Sequence, residues 1–189
     1  MVFLDRDGTI NEEVEYLRRI EDLRLIPGAS SAIRALNQAG YKIFVVTNQS
    51  AIARGFLTEA SLHEIHIELE KRLNAEGAFV DGWFYCPHHP SAGAGPYTVK
   101  CECRKPGTGM VEKALSQCEQ EVRNKFVIGD TLADMQLAEN AGAIPVLVKT
   151  GHGAQTLEAM KESALDKVAY VAADLLDAAN WIISVGQDV

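Results

Sequence analysis

The 189-residue sequence has no apolar run of the roughly 18 residues that a membrane-crossing helix needs. Its start, MVFLDRDGT, lacks the basic and apolar segments of a secretory signal, so the expectation is a cytoplasmic protein with no membrane partner. Internal repeats and low-complexity tracts are also missing. Positive charge is scarce: 18 Lys and Arg stand against 26 Asp and Glu, a net charge of −8. That balance argues against a nucleic-acid partner, because such proteins carry a basic field for phosphates. A few local cations can still hold a small anion. Cysteine is scarce too. Four thiols, three of them within residues 86–103, do not make a disulfide framework and favour a metal site or a reactive thiol.

What is there is an ordinary globular composition, 47% hydrophobic and 23% charged, at a length that suits one domain with a substantial core. Short apolar runs alternate with helical periodicity. MVFL, YKIFVVT, GWFYC, KFVIG, AIPVLV and VAYV read as strands, and residues 10–26 as a flap or short hairpin. Helices are expected over PGASSAIRALNQAG, from a Thr58 cap to about residue 75, over 108–121, over TLADMQLAENAG, between the last two strands, and over DLLDAANWIISV. Leu62, Ile65, Leu69 and Leu73 recur at helical spacing. Nearly continuous apolar strands alternating with helices imply an α/β fold whose parallel sheet is covered on both faces. In such sheets ligands bind at the carboxyl ends of the strands.

The chemically interesting residues fall at those ends. Asp5, Arg6, Asp7, Gly8 and Thr9 follow the first strand, and Thr47, Asn48, Gln49 and Ser50 end the second. Cys86 ends the third, Lys105 lies in the loop after it, and Asp130 follows the fourth with Asp134 one helical turn on. Asp5 and Asp7 are two apart, so an extended segment points both to one side. Three converging carboxylates repel one another, and a hard divalent ion such as Mg²⁺ relieves that. Asp before Gly alone is more often a turn residue. The ordered set DxDGT, strand-end Thr, Lys and GDxxxD is far more specific.

DRDGT, Thr47 in VVTNQS, Lys105 in CRKP and GDTLAD resemble the four ordered motifs of the haloacid dehalogenase superfamily of phosphohydrolases, over residues 3 to about 150. The resemblance implies a Rossmann-like core with Asp5 as nucleophile on phosphorus. It implies that Asp7 protonates the leaving oxygen and then deprotonates the attacking water. Asp5, the Asp7 backbone carbonyl and Asp130 would bind Mg²⁺, Thr47 and Lys105 would hold the phosphoryl oxygens, and Asp134 would act from behind the ligands. The 37 residues between Thr9 and Thr47 are taken up by the flap and one helix, so no large cap domain is expected. The expectation is one capless domain over 1–189.

Cys86-Pro-His88 and Cys101-Glu-Cys103 pair soft ligands with one residue between members, and fourteen residues lie between Cys86 and Cys101. Three sulfurs and one imidazole match a closed tetrahedral Zn²⁺ site, which would also compact a loop over about 86–105. His89 is the alternate ligand, and unpaired core thiols or a redox pair are the other readings. Cys118 reads as a small core residue in mid-helix. DRDGTINEE, VVTNQSAIARG, YCPHHP and CECRKP closely resemble the heptose bisphosphate 7-phosphatases, and also the related histidinol-phosphate phosphatases. The resemblance implies a phosphorylated sugar as substrate, and a monomer is expected. It implies that Gly8, Glu13 to Tyr16, Thr47 to Ser50, Arg54 and Arg104 contact the substrate, Arg104 at a second phosphate. Two positions depart from the resemblance: Ala51 stands where many relatives carry glycine, and Thr131 where some heptose phosphatases carry a lysine, for which Lys149 is a candidate replacement. A zinc-stabilised binding module is the reading from another class, and intact Asp5, Asp7, Thr47, Lys105 and Asp130 argue against it. The acidic charge disfavours a DNA 3′-phosphatase.

Overall fold

The computed structural model describes residues 1–118 and 124–186. The elements run β1 (Val2–Leu4), α1 (Ala29–Gln38), β2 (Ile43–Asn48), α2 (Ser50–Ala53), α3 (Glu59–Ala75), β3 (Gly82–Cys86), α4 (Gly109–Leu115), β4 (Phe126–Gly129), α5 (Leu132–Asn140), β5 (Ile144–Val148), α6 (Gly153–Ala159), α7 (Glu162–Leu165), β6 (Tyr170–Ala172) and α8 (Leu175–Gly186). The six strands form one sheet in the order β3-β2-β1-β4-β5-β6, every neighbouring pair parallel. β1 pairs through Val2–Ile43, Phe3–Phe44 and Leu4–Val45 on one side, and through Val2–Phe126 and Leu4–Ile128 on the other. This is the Rossmann-like arrangement expected, with the strand order reversing beside β1.

Side-chain alternation splits the core into two layers. Val2 and Leu4 join the buried faces of α1, α3 and α8, whereas Phe3, Phe44 and Val46 pack on Met110, Val111 and Ala114 of α4 and Leu137 of α5. On α3 the Thr58 hydroxyl accepts the Ser61 N–H at 3.1 Å, and Leu62, Ile65, Leu69 and Leu73 are buried as their spacing predicts. Burying two sheet faces leaves only the strand ends for solvent and ligand.

Several elements differ from expectation. The helix expected over 108–121 ends at Leu115, and residues 119–121 lie outside the described residues. Cys118 therefore follows the helix, half-buried against the second core layer. The expected helix between the last two strands is two, α6 and α7. The flap is held by one antiparallel bridge, Asn11–Leu25, and contains a short 3₁₀ turn at Ile20–Asp22 instead of a hairpin ladder. α2 has no capping residue or periodicity long enough to announce it. Ala51 sits buried in it, and no non-glycine residue among those described has a positive φ, so glycine is not needed there.

Candidate active site

The carboxyl ends of β1 and β4 and the loop after β3 bring four charged groups together. Lys105 Nζ lies 2.8 Å from Asp5 Oδ1 and 2.6 Å from Asp134 Oδ1, with the lysine side chain 2% exposed. Asp5 Oδ1 also accepts the Arg6 backbone N–H at 2.7 Å. The other oxygen of Asp134 accepts from the Thr131 backbone N–H at 3.1 Å and from its hydroxyl. Thr131 thus fixes Asp134, and exposed Lys149 stays away from the cleft. Burial pushes the Asp5 carboxyl up to about 7 against the pull of Lys105, and burial likewise raises Asp130 to about 7. Burial would lower Lys105, but Asp134 and Asp5 overcome it and hold the ammonium firmly charged.

Asp5, Asp130 and Asp134 each offer an oxygen within 4.8 Å of the others. Asp130 Oδ1 is buried with no hydrogen-bond partner. A buried, unpartnered carboxylate oxygen beside two further carboxylates is the environment that a hard divalent cation relieves, so the donor set fits Mg²⁺.

The loop after β5, which sequence reasoning passed over, builds the back wall. Thr150 Oγ1 donates to Gly8 O at 2.6 Å, His152 N–H to Asp130 Oδ2 at 2.7 Å, and Thr156 Oγ1 to Asp130 O at 2.8 Å. Gly8 (φ +77°) and Gly151 (φ +56°) are required by close approach. A Cβ on either would stand 2.2 or 2.3 Å from Asp130 Oδ2. Gly8 thus carries the backbone close beneath Asp130 and does not line the cleft. The available signal was a Thr-Gly-His-Gly run at a strand's carboxyl end.

Asp7 turns to a different set of partners. Its carboxylate accepts from Arg6 Nε (3.2 Å) and Nη2 (2.9 and 2.8 Å), from Asn11 Nδ2 (2.9 Å) and from Gln49 Nε2 (2.9 Å). Burial alone would raise this carboxyl, but Arg6 and these donors hold it below the usual carboxylate range. Gln49 also donates to Thr47 Oγ1 at 2.9 Å. Asn48 clasps the Lys105 backbone, accepting its N–H at 3.0 Å and donating to its carbonyl at 3.3 Å. The end of β2 therefore aims both Asp7 and Lys105, a duty beyond the substrate contact expected of these amides.

A cleft of about 290 Å³ opens over this floor, lined by Asp5, Asp7, Glu13 to Leu17, Thr47 to Ala51, Arg104, Lys105, Asp130 and Thr131. Burial, with Asp7 nearby, pushes the Glu13 carboxyl up to about 7. Arg104 Nη1 donates to His88 O at 3.1 Å, and no ion pair with Glu102 forms among the described residues. Arg54, expected at the substrate, is exposed outside the lining, its guanidinium 5.9 Å from the Tyr16 ring centre.

Ahead of Lys105, Cys86, His88, Cys101 and Cys103 form a second cluster, each offering one ligand atom within 4.8 Å of the rest. The Sγ···Sγ distances are 3.1, 3.3 and 3.5 Å, and His88 Nδ1 lies 3.4 Å from Cys103 Sγ. A tetrahedron with Zn–S bonds of about 2.3 Å has S···S edges of roughly 3.7 Å, only a few tenths longer, so the site fits zinc. His89 faces elsewhere, its Nδ1 accepting the Ser91 and Ala92 N–H groups. Tyr85 and Tyr97 both donate to the Glu59 carboxylate, clipping this loop to the start of α3.

A Rossmann-like sheet carrying two aspartates after its first strand, a strand-end threonine, a buried lysine and a further aspartate pair defines a phosphohydrolase of the haloacid dehalogenase type. The HAD-hydrolase-like family model matches residues 102–178. Over 185 residues the chain is 40% identical to the D-glycero-D-manno-heptose-1,7-bisphosphate 7-phosphatase of Thermosynechococcus vestitus, covering 96% of this chain and 94% of that one. It is 39% identical to the D-glycero-beta-D-manno-heptose-1,7-bisphosphate 7-phosphatase of Escherichia coli K12, covering 92% and 90%. Among solved structures, the D,D-heptose 1,7-bisphosphate phosphatase of B. bronchiseptica, complexed with magnesium and phosphate, superposes with a TM-score of 0.83 at 33% identity, covering 100% of this chain and 98% of that one. The chain belongs to the heptose bisphosphate phosphatase family of the haloacid dehalogenase superfamily, and it is a phosphoric monoester hydrolase. No helix among the described residues is long and apolar enough to cross a membrane.

Proposed function

We propose that the protein is a magnesium-dependent phosphatase that removes the 7-phosphate of D-glycero-D-manno-heptose 1,7-bisphosphate through an aspartyl-phosphate on Asp5. It would act in the cytoplasm as a monomer, in the supply of nucleotide-activated heptose for surface polysaccharide. The observation that carries this reading is the junction of Asp5, Lys105, Asp134 and Asp130 beneath a cleft edged by Arg104. The names of relatives similar over nearly their whole length support the substrate.

Asp5 attacks phosphorus, the bond from phosphorus to the carbon 7 oxygen breaks, and Asp7 gives that oxygen a proton. Water then attacks the aspartyl-phosphate, the bond to Asp5 breaks, and Asp7 takes the water's proton. The contacts that keep Asp7 ionised favour its second role. For the first, Asp7 must take up a proton against them. Lys105 and Thr47 hold the phosphoryl oxygens, and Arg104 takes the phosphate at carbon 1 through its fork. Mg²⁺, held by Asp5, Asp130 and the Asp7 carbonyl, would supply charge that offsets the repulsion between carboxylate and phosphate dianion. Zinc on Cys86, His88, Cys101 and Cys103 would be structural, fixing the segment that delivers Arg104 and Lys105. Loops alone roof the site, without a cap domain.

Phosphate release from a panel of sugar bisphosphates and histidinol phosphate, with and without Mg²⁺, tests the reading. The highest kcat/KM is expected for the heptose bisphosphate, and only with Mg²⁺. Preference for histidinol phosphate, or turnover indifferent to Mg²⁺, would contradict it.

A further inference from the structure

Arg6 heads the largest side chains that have no exposed surface, and it is gripped at both ends. Toward the cleft, Nε and Nη2 fork over Asp7. Away from it, Nη1 lies 3.1 Å from His66 Nε2. A guanidinium only donates, so Nε2 accepts and the neutral ring carries its proton on Nδ1. Burial first, then Arg6, pushes the His66 pKa down to about 3, which keeps the ring an acceptor. The imidazole stacks on Trp83 with ring centres 5.1 Å apart and meets Tyr85 edge-on at 6.1 Å. A packed line thus runs from Trp83 through His66 and Arg6 to Asp7.

Neither Arg6 nor His66 has a role in the chemistry above. A structural ion pair is the bland account, but it leaves the choice of acid unexplained. Arg6 pairs with a carboxylate that lines the cleft and keeps 20% of its side chain exposed. Asn11 and Gln49 hold the same carboxylate from other sides. We infer that Arg6 is a positioning residue braced by His66, and that together they aim the Asp7 carboxylate at the water that hydrolyses the aspartyl-phosphate. In that step the water oxygen bonds to phosphorus as the bond to Asp5 breaks. The water's proton passes to Asp7, and Asp5 returns as a carboxylate. The inference rests on the roles proposed for Asp5 and Asp7.

p-Nitrophenyl phosphate isolates the step, because its leaving group departs without an acid. With it, kcat/KM reports formation of the aspartyl-phosphate, and kcat also reports hydrolysis. His66→Phe keeps a ring on Trp83 and removes the acceptor for Arg6. In the full chain with Mg²⁺, kcat should fall about tenfold while kcat/KM changes less than about twofold, with a burst of nitrophenolate matching the enzyme. His66→Gln restores an acceptor and should recover most of the loss. Arg6→Lys, which keeps the charge without the fork, should show the same split and serves if His66→Phe does not fold. Equal losses in kcat and kcat/KM without a burst, or no loss, would overturn the inference. Asp7→Asn, run alongside, should show the split more strongly. If it does not, the Asp7 role fails and the inference with it. If Asp7→Asn shows the split and His66→Phe does not, the inference alone fails.

Discussion

Replacing Lys105 with methionine removes the only cation within ion-pair distance of Asp5 and Asp134 among the described residues, while keeping a chain of similar length. Both partners are buried, so neither can turn to water. Breaking a buried pair by deleting one member costs about 3–5 kcal/mol, because the other charge is left uncompensated. At about 2–4 °C per kcal/mol for a domain of this size, the melting temperature should drop by roughly 6–20 °C. Protonation of the carboxylates can replace the lost cation. Asp5 is already pushed up to about 7 by burial, so its folded form binds a proton that the unfolded form has released, and stability from this group falls as pH rises through that value. Without Lys105 the effect grows, so the gap between variant and parent should widen above about pH 8. Mg²⁺ should recover part of it, since a divalent ion answers the same excess negative charge. Thermal unfolding of both proteins, with Mg²⁺ or chelator, reads all three effects. A drop under about 2 °C, the same at every pH and blind to Mg²⁺, would refute the buried-triad reasoning. Phosphatase turnover should fall at least about 100-fold in the same variant.

Three further outcomes follow from the geometry. His66 is neutral when folded, with its pKa lowered to about 3, whereas the unfolded chain takes up its proton near 6.5. Its share of stability, of the order of a few kcal/mol, is therefore complete above about pH 6.5 and lost as pH falls toward 3. His66→Gln should flatten the pH dependence of the melting temperature over that window. Cys101→Ser should weaken zinc retention, measured by metal analysis, and lower kcat by misplacing Lys105 and Arg104. Mg²⁺ affinity should be nearly unchanged, since no cysteine lies among the carboxylates. Gly151→Ala forces a Cβ to within 2.3 Å of Asp130 Oδ2 in a left-handed conformation, so Mg²⁺ affinity should fall at least about tenfold by calorimetry while Zn²⁺ content holds.

The sheet was legible because the central strands β1, β2 and β4 are buried on both faces, and the half-buried edge strands β3 and β6 still read as apolar runs. The acidic rim was legible because a parallel sheet gathers its loops at one edge, so Asp5, Thr47 and Asp130 met there although far apart in sequence. The residues that aim those groups were harder to see. Arg6 lies between two aspartates at the end of the first strand, and its full burial and its grip on Asp7 and His66 leave no mark in the sequence. His66 lies one turn beyond Leu62 on the buried face of α3, yet its partner Arg6, in the loop after β1, is set by tertiary packing. Asn48 and Gln49 read as ligand-facing amides, and the structure turns them onto Lys105, Thr47 and Asp7. The Thr150–Gly153 turn holds Gly8 through the Thr150 hydroxyl and Asp130 through the His152 backbone N–H, contacts that leave little trace in side-chain chemistry.

The central claim is that Asp5 takes the phosphoryl group from carbon 7, and acid quench during turnover of heptose bisphosphate labelled in that phosphate tests it directly. The account predicts label bound to the peptide containing Asp5, and an unlabelled phosphate still on carbon 1 of the product. Turnover with no protein-bound label, label on another residue, or loss of the carbon 1 phosphate would contradict it.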